Sequence, residues 1–227
     1  MRIWDISTGY LDRKRLLGEH RELHGLFNVI SLGKKGYSRH PETLRWVDRR
    51  PALCMRHQLL VSEMQLRGYQ HHSPLPSSAD DIVWPDKWIN TAGEQFTLLA
   101  DKQSQEDSAR IPLPLNTQQL WAQHKYSVMA HNPALYSHIG PEVAHGIYRD
   151  DMVALAESLV NTLRTPPASG HLHNALLHMW GYVSDSGISI PEDDRQLISL
   201  IQQQAMLRKE NYLLNSTALS ELQAWVN

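Results

Sequence analysis

The chain has 227 residues, of which 41% are hydrophobic and 20% are charged. This composition is typical of a globular protein and excludes a disordered or fibrous chain. No run of about 18 apolar residues is present, so no membrane span is expected. The first residues lack the basic and then apolar pattern of a signal peptide, and we therefore expect a cytoplasmic protein.

The charges are distributed unevenly along the chain. Residues 1–70 hold 13 Lys or Arg and seven Asp or Glu, a balance of +6, whereas the remaining chain holds nine and 17, a balance of −8. A basic first third on an acidic body is the electrostatic pattern of a module that binds nucleic acid. Chance segregation of charge gives the same pattern, so charge by itself does not decide between them.

The first third predicts an extended arm over residues 1–9 and then a helix from Leu11 to Ile30. The loop Ser31–Arg39 that follows combines two glycines with Lys34 and Lys35, which suits contact with phosphate but is also ordinary surface. A second long helix is predicted from Pro51 to Gly68, because proline favours a first helical turn and glycine favours a helix end.

The rest of the chain also predicts helices, because apolar residues recur there at helical spacing and alternating strand patterns are essentially absent. One long helix is expected from Pro191 through Tyr212, and the polar stretch Asp101–Arg110 is expected to be a linker. The predicted fold class is all-α. We expect one helical domain over residues 1–115 and a second over residues 116–227.

Chemically distinctive residues concentrate in Gly18–Gly25, which reads GEHRELHG. Residue types alone allow a solvated helix face with ion pairs. The stretches MRI…LLGEHREL and PALCMRHQLLVSEMQLRGY together, however, resemble the phage pyrimidine-dimer DNA glycosylases of the endonuclease V type over about residues 1–75. The resemblance implies an endonuclease V-like helical fold and a DNA repair enzyme, namely a DNA glycosylase that also cleaves abasic sites by β-elimination.

In that family the nucleophile is the terminal amine of the chain, which attacks the sugar carbon that carries the base. A terminal amine suits this role because its ordinary pKa of about 7.7–8.0 leaves roughly a third of it neutral at pH 7.5, against about 0.1% of a lysine. By the resemblance, Met1 supplies the amine here, and it should be retained because Arg2 is too bulky for methionine removal. Glu22 is the expected catalytic carboxylate, which would stabilise the cationic sugar and imine.

The expected partner is double-stranded damaged DNA, and the expected substrate is a cyclobutane pyrimidine dimer. Residues assigned to DNA contact are Arg2, Arg15, Arg21, His24, Lys34, Lys35 and Arg56. The aromatic patch with which the family engages the dimer is matched only by Leu135–Gly140. No metal or other cofactor is expected for this activity. The adjacent His71 and His72 would rarely bind one ion and have no partners at suitable spacing in the sequence.

The C-terminal region carries a second resemblance. HKYSVMAHNPALY followed by HLHNALLHMWGY is similar to the uncharacterised bacterial YbgA-like domain, over about residues 117–227, and implies a helical bundle without a known chemistry. Two alternatives to the dimer glycosylase stay open. One is the same amine chemistry on another modified base or on abasic sites only, and the other is a non-catalytic helical protein that binds nucleic acid.

Overall fold

The structure of the protein is a computed structural model, and it describes residues 1–76, 81–102, 108–149, 151–185 and 187–226. Every regular element in these ranges is helical, which confirms the predicted all-α class. After a 3-10 turn at Thr8–Tyr10, eleven helices follow: α1 Arg13–Ser31, α2 Pro41–Trp46, α3 Arg50–Leu66, α4 Ala92–Ala100, α5 Thr117–His131, α6 Pro133–Ala144, α7 Met152–Leu163, α8 Ser169–Trp180, α9 Asp194–Arg208, α10 Asn211–Leu214 and α11 Ala218–Trp225. None of these helices combines the length and the apolar character needed to cross a membrane.

The two long helices of the first third match the sequence prediction closely. Helix α1 begins at Arg13 because the side chain of Asp12 accepts a hydrogen bond from the main-chain N–H of Arg15, at 2.8 Å. Helix α3 has Pro51 in its first turn, and the chain leaves it through Gly68, whose φ of 82° favours glycine. Both helices bury an apolar stripe, and they pack against each other.

The prediction of one helix from Pro191 through Tyr212 is wrong at both ends. Helix α9 begins at Asp194, because the side chain of Asp193 accepts a hydrogen bond from the N–H of Gln196 at 2.9 Å. It ends where Lys209 adopts a left-handed conformation, with φ 53° and ψ 44°. Tyr212 therefore belongs to the separate short helix α10.

Two hydrophobic cores hold these helices together. The first combines the N-terminal arm with α1–α7, and the second combines α5 with α8–α11. Part of the predicted linker, residues 103–107, lies outside the described residues. The division into domains at residue 115 stays a prediction, and buried contacts cross that position: the Tyr10 hydroxyl donates to Oε1 of Gln123 at 2.7 Å, and α3 packs against α11.

The predicted N-terminal arm is fixed by burial and by charge. The side chains of Ile3, Trp4 and Ile6 are all buried in the first core. Between them, the buried carboxylate of Asp5 accepts hydrogen bonds from Arg45 at 2.8 Å and from Arg164 at 2.6 Å. These buried ion pairs hold the Asp5 carboxylate in one place, because separating it from its arginine partners inside the protein would be energetically costly. The first residues of the chain are thereby positioned along α1.

Candidate active site

The arm reaches α1 at two carboxylates that lie one helical turn apart. The main-chain N–H of Trp4 donates to Oε1 of Glu19 at 3.1 Å, and the main-chain N–H of Arg2 donates a short hydrogen bond to Oε2 of Glu22. Residues three apart on a helix face the same side, so both carboxylates accept hydrogen bonds from the same extended N-terminal arm. The arm therefore ends with its first residue beside Glu22.

The terminal nitrogen of Met1 lies 3.8 Å from Oε1 of Glu22. The Met1 side chain is only 11% exposed and packs against the first core, whereas the Glu22 side chain is 42% exposed. An amine held by its own buried side chain next to an open carboxylate is an arrangement that a substrate can approach from solvent. The two residues predicted to be catalytic are thus brought together.

Arg56 does not take part in a DNA surface, and its prediction as a DNA contact is wrong. Its side chain is 3% exposed, and its Nε and Nη2 donate to the two oxygens of Glu19 at 2.8 and 2.9 Å. The remaining Nη1 donates to the carbonyl of Ile6 at 2.9 Å. A buried guanidinium with these contacts cannot reach a phosphate, and Arg56 instead joins α3 to α1 and to the arm.

Arg15 is also occupied within the fold. It forms an ion pair with the buried Asp12, and its Nη2 donates to the carbonyl of Lys102 at 2.7 Å. Its side chain is 17% exposed. These contacts hold Arg15 at the start of α1 and leave little of it for a phosphate, which argues against the predicted DNA contact.

The other predicted cations lie on or near the surface. Arg21 on α1 and both Lys34 and Lys35 in the following loop are exposed, and the half-buried Arg2 places its guanidinium carbon 5.0 Å from the ring centroid of Trp4. Sequence reasoning did not single out the exposed cations Arg13, Lys14 and Arg39. It also missed Tyr37, a residue in the same loop that is 73% exposed. An exposed aromatic between cations is a common feature of surfaces that bind nucleic acid.

Two glycines flank Glu22 on its own side of α1. Gly18 lies four residues before it and Gly25 three residues after it, and a Cβ atom built on either one meets nothing within 4 Å. Glycine inside a helix costs about 0.5–1 kcal/mol relative to alanine. No neighbour in the fold requires glycine at these positions, so they give no packing benefit. Because they lack side chains, they leave the surface of α1 next to Glu22 free of projecting atoms. Such a surface admits the close approach of a ligand backbone.

Comparison with known protein families decides what the first segment resembles. Residues 1–77 match the pyrimidine dimer DNA glycosylase family. Residues 125–204 match a second family model, described as a protein of unknown function, DUF1722. Both resemblances predicted from the sequence are thereby confirmed, with nearly the predicted ranges. Comparison with curated proteins and with solved structures gave no match.

The glycosylase-matched segment, residues 1–77, contains the arm, α1, α2 and α3, and therefore the contacts of Glu22 with Met1 and Arg2. The family points to an enzyme that acts on DNA. The stretch Leu135–Gly140, in contrast, lies outside the matched range, in α6. There Tyr136 packs against Trp121, with ring centroids 5.6 Å apart.

His24, predicted as a DNA contact, lies within a cluster of imidazoles in the glycosylase-matched segment. It joins His20 on α1, His57 on α3 and His71 in the chain that follows α3. The Nε2 atoms of His24 and His57 are 3.2 Å apart. His71 has no partners at suitable spacing in the sequence, but the fold brings three other imidazoles to it from distant positions. The only sequence signal was the i, i+4 spacing of His20 and His24, which puts both on one face of a helix.

Proposed function

We propose that this protein is a DNA glycosylase with abasic-site lyase activity, in which the amine of Met1 is the nucleophile and Glu22 is the assisting carboxylate. Its proposed substrate is a cyclobutane pyrimidine dimer in duplex DNA. The observation that carries the proposal is the 3.8 Å separation between the Met1 nitrogen and Oε1 of Glu22, in a segment that matches the pyrimidine dimer glycosylases.

In the proposed reaction the neutral amine of Met1 attacks C1′ of the damaged nucleotide, and the bond between C1′ and the base breaks with its electron pair leaving on the base. Opening of the sugar ring then gives an imine between Met1 and C1′. Glu22 stabilises the positive charge that develops on the sugar and on the imine, because a fixed carboxylate is already oriented toward them. The N–H of Arg2 contributes by holding that carboxylate.

Strand cleavage follows from the same intermediate. The imine acidifies the C2′ hydrogen, a base removes that proton, and the 3′ phosphate leaves by β-elimination. Water then hydrolyses the imine and returns the amine. Glu22 is the carboxylate within reach to move the protons, and no external oxidant or cofactor is required.

The exposed cations form the proposed DNA contact. Arg21 lies beside Glu22 on α1, and Lys34 and Lys35 lie in the loop after that helix. Ammonium and guanidinium groups bind phosphate with little dependence on sequence, and they release counterions from the duplex. The low surface at Gly18 and Gly25 lets a backbone come close to Glu22. The target nucleotide must be unstacked to expose C1′, which a damaged pair makes easier.

Borohydride trapping tests the proposal, because borohydride reduces an imine to a stable amine and leaves protein and DNA covalently joined. Duplexes containing a cyclobutane dimer, an abasic site or no damage would be compared at neutral pH, with the enzyme beginning at Met1. We expect trapped complexes with the dimer and the abasic duplex and none with undamaged DNA. Mass spectrometry of the digested complex should place the adduct on the Met1 amine.

A matched control adds a Gly-Ser dipeptide before Met1, which moves the terminal amine away from Glu22 and should abolish trapping. Trapping with abasic DNA alone would replace dimer excision with abasic-site lyase activity. If the protein binds DNA but is trapped with neither damaged duplex, the proposed enzymatic activity would be contradicted and a non-catalytic DNA-binding protein would be favoured. An adduct on a lysine would contradict the role of Met1.

A further inference from the structure

The four imidazoles of His20, His24, His57 and His71 form a compact group. Each offers one ring nitrogen, and these four nitrogens lie within 4.8 Å of one another. Five of the ring pairs have centroids 4.7–5.1 Å apart. The rings thus surround a common point rather than stacking in a row.

These distances suit a tetrahedral metal ion. A metal–nitrogen bond of about 2.0–2.1 Å places neighbouring tetrahedral ligand nitrogens about 3.3–3.4 Å apart. The Nε2 atoms of His24 and His57 are already 3.2 Å apart. The most widely spaced ligand nitrogens would have to move closer by about 1.5 Å to reach this geometry. Rotations about the two side-chain bonds of each histidine can produce a movement of this size.

Burial gives a second, independent indication. His57 is fully buried and His20 is 9% exposed, and Nε2 of His20 has no hydrogen-bond partner among the described residues. A buried polar atom without a partner is destabilising, and such an atom calls for an explanation such as an ion. His24 and His71 are half-buried, so the cluster is reached from the surface.

The imidazoles are also in the protonation state that metals require. Burial, with the nearby imidazoles, lowers the pKa of His57 to about 3 and that of His20 to about 4. Burial likewise lowers the pKa of His24 and of His71. A lowered pKa favours the neutral form of each ring, and a neutral imidazole offers one nitrogen lone pair. Neutral imidazole is a ligand for zinc, copper, nickel and iron, whereas calcium and magnesium prefer oxygen.

We propose that His20, His24, His57 and His71 together bind one divalent transition-metal ion, with Zn²⁺ as the expected occupant. Four protein ligands complete a tetrahedral shell, which is the pattern of a structural site rather than of one that keeps a position open for substrate. The ion joins α1, α3 and the segment that follows α3. It would therefore hold in place the helix that carries Glu22.

Metal titration of the full-length protein tests this inference without DNA, so its outcome is independent of the glycosylase proposal. Protein freed of metal by chelation and dialysis would be titrated with Co²⁺ and then with Zn²⁺. We expect one Co²⁺ per chain, a visible absorption band of the intensity typical of tetrahedral coordination, and loss of that band when Zn²⁺ displaces the cobalt.

The chain offers a matched pair of variants, because His71 and His72 are adjacent and only His71 belongs to the cluster. Loss of a residue that only hydrogen-bonds to a metal ligand lowers metal affinity by about 10–100-fold. Because His71 is a proposed ligand itself, His71→Ala should lower the affinity by more than this, whereas alanine at the exposed His72 should leave it unchanged. His71 lies outside the helices, so its variant should keep the fold, which circular dichroism would verify. Failure to bind Co²⁺ at one equivalent, a weak octahedral spectrum, or equal affinity of the two variants would each overturn the site.

Discussion

The terminal nitrogen of Met1 and the carboxylate of Glu22 lie 3.8 Å apart, although 20 residues separate them in the chain. The contact depends on an arm whose Ile3, Trp4 and Ile6 side chains are buried, so the amine is placed by the hydrophobic core. In the proposed reaction this placement holds the amine near its assisting carboxylate, and such orientation contributes to catalysis.

Replacing Glu22 by glutamine should separate chemistry from binding. The amide keeps an oxygen that accepts from the Arg2 N–H, but it removes the negative charge beside the developing cation. We expect the rate of borohydride trapping to fall by about 10²–10⁴-fold, with DNA affinity changed by less than about threefold. Single-turnover trapping and fluorescence anisotropy measure the two quantities. Glu192→Gln, an exposed substitution outside the glycosylase-matched segment, is the control and should change neither.

Removing the charges of Lys34 and Lys35 should weaken DNA binding through its dependence on salt. Each phosphate contact contributes about 0.9 to the slope of log affinity against log salt, so the double alanine variant should lower that slope by about 1.8. Damaged and undamaged duplexes should be affected alike, since phosphate contacts carry no sequence information. The exposed Lys87→Ala is the matched control. An unchanged slope would remove this loop from the DNA interface.

Arg56→Ala should act on stability. It leaves Glu19, whose side chain is 0% exposed, without its charge partner, and breaking a buried pair in this way costs about 3–5 kcal/mol. Urea denaturation should show this loss, whereas alanine at the exposed Arg39 should change the free energy of unfolding by less than about 0.5 kcal/mol. A stable Arg56→Ala protein that no longer binds DNA would restore the role predicted from the sequence.

Gly25 should lower the stability of the protein while keeping the surface next to Glu22 accessible to DNA. Gly25→Ala meets no neighbour and should raise the free energy of unfolding by about 0.5–1 kcal/mol. Gly25→Leu should reduce the affinity for duplex DNA, because the added side chain would occupy the open surface where the proposed contact brings the DNA backbone. Leucine at the exposed Gln203 on α9 controls for added apolar surface. Undiminished DNA affinity of Gly25→Leu would place the duplex elsewhere.

Removal of the proposed metal should reduce stability more than it reduces chemistry. His20 and His24 are each two residues from Glu22, and positions two apart on a helix face different sides, so the ion lies away from the carboxylate. We expect chelation to lower the unfolding temperature and to leave the trapping rate within about threefold while the protein stays folded. Loss of trapping without unfolding, reversed by Zn²⁺, would instead put the metal in the reaction.

The sequence by itself determined the helical class, the bounds of α1 and α3 to within about two residues, and the two family resemblances. These features depend on local patterns: apolar spacing, a proline in the first turn, a glycine at the helix end, and residue order within short motifs. The pairing of Glu22 with Met1 was expected from the glycosylase resemblance, but its distance required the fold.

Only the tertiary structure decided which charged and polar side chains face inward. Arg56 and Lys34 are both cations in a basic segment, yet Arg56 is buried against Glu19 and Lys34 is exposed, because helix packing and not residue type sets the environment. The histidine cluster was hidden for the same reason. Its members come from two helices and a following segment, and sequence spacing reveals ligand sets only when the ligands are close in the chain, whereas packing brings distant ones together.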